Sequence, residues 1–82
     1  MTVTVRIGDE DYSLSREEIL AVAQREPPRR LNAYFVDIDG RRYPPKQLVR
    51  SATGTSGPFV TAVAVRALRA LGFEVVAIPT TH

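Results

Sequence analysis

The run Gly40-Arg41-Arg42-Tyr43-Pro44-Pro45-Lys46-Gln47-Leu48-Val49-Arg50 places a turn, a basic strand and the start of a helix within eleven residues. Two prolines set φ near the helical value, and in a first helical turn they give up amide hydrogens that would have had no intrahelical acceptor. The stretch therefore predicts a helix beginning at Pro44 or Pro45. The amides left free in that turn, with the macrodipole behind them, attract anions, yet the charged side chain set there is Lys46 and not an acid. A cation at this end works slightly against the helix, and its presence makes sense if a phosphate lies beside it.

Upstream of this run, Asp39-Gly40 is a strong hairpin signal, because a type I′ turn needs positive φ at both central positions. Ala33 to Ile38, rich in aromatic and β-branched residues, is then a strand with Arg41-Arg42-Tyr43 running back antiparallel to it. Downstream, the helix continues through Ser51 or Thr53 with Leu48, Val49 and Ala52 inward. Lys46 and Arg50, four residues apart, share its other face.

At the amino end, Thr2 to Ile7 alternates β-branched and polar residues and reads as a strand with one buried face. Gly8 to Asp11 reads as a turn and Tyr12-Ser13-Leu14 as a short return strand. Ser15 and Glu18 form a capping box, and Leu14 with Ile19 has the spacing of a hydrophobic staple, so a helix starts at Ser15. Its apolar stripe is Ile19, Leu20, Val22 and Ala23, and Pro27-Pro28 ends it. Arg29 to Asn32 is a connector. Thr53 to Pro58 is a loop of small and hydroxyl residues. Thr61 is placed to cap a last helix that turns Ala64, Val65, Leu68 and Leu71 to the core and projects Arg66 and Arg69 together. Gly72 stands where a left-handed glycine ends a helix, with Phe73 packing back over it. Glu74 to Ile78 is a final strand, and Thr80, Thr81 and His82 are expected to fray. The element order β-(β)-α-β-β-α-α-β predicts a small α+β domain: one mostly antiparallel sheet of three to five strands with three helices on one face.

Eighty-two residues, 44% of them hydrophobic, suffice for one core and a single domain. There are no cysteines, which removes disulfides and thiolate metal sites and favours an intracellular compartment. No stretch approaches a membrane span and Met1-Thr2-Val3-Thr4 does not begin a secretory leader, so a cytoplasmic protein is expected. The net charge is +2, but it is segregated. Residues 1–26 carry three basic and six acidic side chains, residues 27–69 eight basic against Asp37 and Asp39, and the remainder only Glu74. A basic half of this kind is the footprint of polyanion binding, against the blander reading of a solvated arginine-rich face.

The segment from Tyr34 to Val76 resembles the N-terminal head domain of McrA-like HNH endonucleases, which restrict modified DNA. The likeness rests on Gly40-Arg41-Arg42-Tyr43-Pro44-Pro45-Lys46, on Ala52, Gly54 and Phe59, and on Leu68-Arg69-Ala70-Leu71-Gly72-Phe73-Glu74-Val75. It covers about half the chain. The family's Ser-Gly-Gly after the phenylalanine is replaced here by Val60-Thr61-Ala62. The resemblance implies a DNA-associated accessory domain standing free of any nuclease, with Tyr43 and Lys46 as site residues.

The residues thus predict a non-enzymatic module that binds nucleic acid, DNA before RNA, through phosphates. Arg42, Tyr43, Lys46, Arg50, Arg66 and Arg69 are the candidate contacts, and four neutralised phosphates would give a salt slope of about −3.6 on duplex DNA. Arg41 and Arg42 point to opposite faces of their strand, so at most one joins the site. Tyr43 is equally readable as a hairpin core residue and Lys46 as a solvated one. Thr53 to Pro58 lacks the Gly-Lys-Ser/Thr ending of a phosphate loop, and Gly54 to Pro58 is a candidate to enter a groove. Asp37 and Asp39 read as hairpin chemistry and not as a metal pair, and His82 alone anchors no triad. No cofactor, metal or catalytic group is implied. The alternative is a protein-interaction module, such as a homodimer formed through the strand edge Thr2 to Ile7.

Overall fold

A computed structural model describes residues 2–79, so the expectation for Thr80 to His82 lies outside the described residues. The elements in order are β1 (Thr2–Ile7), β2 (Glu10–Ser15), α1 (Arg16–Arg25), β3 (Tyr34–Ile38), β4 (Arg41–Tyr43), α2 (Pro45–Thr53), α3 (Thr61–Ala70) and β5 (Val75–Ala77). The fold is α+β, but the expected single sheet is two. β1 and β2 form an antiparallel ribbon, and β4-β3-β5 form a separate antiparallel sheet with β3 in the middle. Alternation in each strand predicts which face is buried; it does not say which strands are neighbours.

The local signals act as their chemistry dictates. Ser15 Oγ accepts from the Glu18 amide at 3.2 Å while Glu18 Oε1 accepts from the Ser15 amide at 3.0 Å, closing the capping box. Asp39 and Gly40 adopt φ of 54° and 81°, and Asp37 Oδ1 accepts from the Gly40 amide at 3.0 Å, which accounts for Asp37 as part of the hairpin. At the end of α3 the Phe73 amide donates to Leu68 O and the Gly72 amide to Arg69 O, both at 3.0 Å, with Gly72 at φ 89°. That is a Schellman closure, and Phe73 and Leu68 both belong to the core. One expectation fails. Val60, not Thr61, is the N-cap of α3, it offers no side-chain acceptor, and it stays 65% exposed.

One core gathers residues from every element: Val5, Ile7 and Leu14 from the ribbon, Val36, Tyr43 and Val75 from the sheet, and Ile19, Leu48 and Leu68 among those from the helices. Tyr43 is fully buried, so it is not the surface contact that the sequence allowed. The reason lies in α1. Pro27 has no amide hydrogen to give to the Ala23 carbonyl four residues back, and the Tyr43 hydroxyl takes its place at 2.8 Å, with Glu26 O at 2.9 Å. The residue that follows the hairpin therefore closes the broken end of the first helix.

Candidate functional site

α2 begins where the prolines place it, with Pro44 as N-cap and Pro45 as first helical residue. Gln47 N and Leu48 N both turn back onto Pro44 O, at 3.1 and 3.4 Å. Of the free amides expected in this turn, only that of Lys46 is left without a backbone acceptor among the described residues. The first turn carries neither an acid nor a side-chain cap, and the same holds for α3, whereas α1 has both.

The connector after α1 folds back over this helix start. Gln47, the one buried polar residue among those described, donates from Nε2 to Pro27 O at 2.9 Å and to Glu26 Oε1 at 3.2 Å, and its Oε1 accepts from the Arg29 amide at 2.8 Å. A neutral amide thus pins residues 26–29 to α2 with both its donor and acceptor ends engaged. Between connector and helix lies a groove of about 290 Å³. Its cationic lining is Arg29, Arg30, Lys46 and Arg50, with Asn32, Tyr34 and Thr61 beside them. A second hollow, about 320 Å³, is lined by Tyr34, Ala62, Val65, Arg66 and Arg69. Tyr34 belongs to both, so the two adjoin. No Asp or Glu among the described residues lines either one.

The cations are not equally available. Lys46 Nζ and Arg50 Cζ lie 5.4 and 4.9 Å from the centre of the Phe59 ring, so both cations are held by the same aromatic side chain. Arg50 also donates from Nη1 to Thr55 O at 3.3 Å and Gly57 O at 3.2 Å, tying down the Thr53 to Pro58 loop, which is thus not a free finger for a groove. Arg69 donates to Val75 O at 3.2 Å. The side chains of Arg29, Arg30, Lys46 and Arg66 make no ion pair or hydrogen bond among the described residues.

Of the sequence-predicted residues, Lys46 and Arg50 line the first hollow and Arg66 and Arg69 the second. Tyr43 and Arg42 do not. Arg42 pairs in register with Asp37 and stacks its guanidinium 4.7 Å from Phe35, and it lines neither hollow. Its strand parity puts it on the sheet face opposite Tyr43, whose side is filled by core. Arg29, Arg30 and Tyr34 were missed as site residues. The Pro27-Pro28-Arg29-Arg30 run held the signal, a forced end to α1 followed at once by two cations.

One carboxylate stands behind the groove. Glu26 Oε1 accepts from Ser51 Oγ at 3.0 Å as well as from Gln47, and Arg25 lies 3.8 Å from Oε2. The Gln47 hydrogen bond, chiefly, holds the Glu26 carboxyl below its ordinary pKa; partial burial opposes this, while Ser51, Arg25 and Arg29 add to it. With the folded-state value depressed, the stabilisation is complete above the unfolded value and disappears as pH falls through the folded one. Glu26→Gln is accordingly expected to be less stable than wild type above the ordinary carboxylate range, with the difference shrinking as pH falls below it. Urea denaturation across that range measures the difference.

Among the described residues no helix is long and apolar enough to cross a membrane, and no three His, Cys, Asp or Glu side chains cluster as metal ligands. Comparison with protein-family models, curated proteins and solved structures finds no match for this chain.

Proposed function

We propose that this chain is a nucleic-acid-binding module, without catalytic activity of its own, that holds phosphates along the groove between the connector after α1 and the start of α2. The observation that carries this is the set of cations lining the two hollows that share Tyr34, Arg29, Arg30 and Lys46 in one and Arg66 in the other, with no carboxylate of the described residues on the walls. Four charged heads that make no ion pair or hydrogen bond among the described residues, beside two helix starts that lack caps and acids, form a surface complementary to a phosphate chain. A role in restriction, defence or regulation rests on the sequence resemblance alone, and a cytoplasmic setting on the composition.

Four such cations predict a salt slope of about −3.6 for duplex DNA and about −2.8 for a single strand. Fluorescence anisotropy of a labelled oligonucleotide between 50 and 300 mM salt measures it. Lys46→Ala and Arg66→Ala should each flatten the slope by about one unit, whatever the sequence of the oligonucleotide. Unchanged binding in both variants would remove the proposal.

The protein-interaction alternative draws on the two-stranded ribbon, in which β1 has a partner strand on one side only. The exposed residues of β1 are Thr2, Thr4 and Arg6. An edge dressed with polar and charged side chains is one that resists pairing with a second chain, so the charge distribution favours the first reading.

A further inference from the structure

We infer that the groove takes a single strand, and that Tyr34 is the platform on which one of its bases stacks; this rests on the phosphate-binding reading above. Tyr34 opens β3 opposite Ala77, half-buried, packed against the core and lining both hollows. Arg29, Arg30, Lys46 and Arg50 line the first hollow with it, and Arg66 and Arg69 the second. A phosphate chain that uses both sets of cations passes between the two hollows, and Tyr34 is the residue they share.

What crosses decides the ligand. In a duplex the bases are closed within the stack, and an aromatic ring meets a base face only if that base is flipped out. A single strand presents every base face, and cations that track the backbone around an aromatic ring are how sequence-tolerant single-strand binding is built. Hollows of about 290 and 320 Å³ stand at the lower end of small-ligand pockets, the scale of one nucleotide in each. Asn32 and Thr61 bring hydrogen-bonding side chains into the first hollow, where a stacked base would present its edge.

The test compares ten-nucleotide oligothymidine, oligouridine, an abasic deoxyribose-phosphate oligomer of the same length and a ten-base-pair duplex, by anisotropy at 50 mM salt. The thymidine or uridine strand, whichever is preferred, is expected to bind at least about tenfold tighter than the duplex and roughly five- to a hundredfold tighter than the abasic oligomer. Tyr34→Phe should bind within about twofold of wild type, and Tyr34→Leu should lose the same five- to hundredfold while keeping the salt slope. The abasic comparison reads stacking in the wild type even if Tyr34→Leu does not fold. Equal binding of abasic and base-bearing strands, or a duplex bound as tightly as either strand, overturns the inference. If Lys46→Ala still flattens the slope in that case, the phosphate groove survives without stacking. If no oligomer binds, both readings fall.

Discussion

Tyr43→Ala is expected to leave the domain largely unfolded at 37 °C. Removing a fully buried aromatic ring costs about 3–5 kcal/mol in transfer and cavity terms. The Ala23 and Glu26 carbonyls, which lose their hydroxyl partner, add roughly 1–3 kcal/mol for an unsatisfied buried acceptor. A domain of this size holds only about 4–12 kcal/mol in total. Tyr43→Phe isolates the hydroxyl. It keeps the ring and should cost about 1–2 kcal/mol, a fall in Tm of roughly 5–15 °C by circular dichroism. A Tyr43→Phe protein as stable as wild type would mean that the Ala23 carbonyl does not depend on the hydroxyl for its partner, and the account of how α1 ends would be wrong.

Lys46→Glu is expected to separate stability from binding. An acid in the first turn of α2 suits the macrodipole that Lys46 opposes, by about 0.3–1 kcal/mol on each count. Loss of the ammonium from the Phe59 ring gives back roughly 0.5–1 kcal/mol. The Tm should therefore equal or exceed that of wild type. Binding should move the other way. With a duplex slope of about −0.9 per phosphate, one contact contributes about tenfold at 50 mM salt relative to 1 M, and the new carboxylate repels the strand besides. A loss of ten- to a hundredfold in affinity in a protein that melts no lower is the signature of a residue selected for a ligand and not for the fold. A variant that binds as well as wild type would make Lys46 a solvated surface residue.

Most of the fold was legible because its punctuation is local. Ser15 and Glu18, Asp39-Gly40, Pro44-Pro45 and Gly72-Phe73 each act within a few residues, and each produced the boundary its chemistry predicts. The division into two sheets was not legible, since pairing of β5 with β3 joins residues some forty apart and no local rule reports it. The site divided in the same way. Helical spacing put Lys46 with Arg50 and Arg66 with Arg69, but bringing the two pairs to hollows that share Tyr34 is a tertiary result. Tyr43 went to the core because a proline sixteen residues earlier had orphaned a carbonyl. Arg29 and Arg30 passed for connector because the residue that folds them over α2 is Gln47, a neutral side chain whose burial nothing in its neighbourhood announces.

The most direct test of the cationic groove is an amide-shift titration of the ¹⁵N-labelled chain with a short oligonucleotide. The largest shifts should fall in residues 29–34, 46–51 and 61–69, with Thr2 to Ser15 unmoved. Shifts centred on the β1–β2 ribbon or on the face bearing Phe35 and Arg42, or none at all at millimolar oligonucleotide, would contradict it.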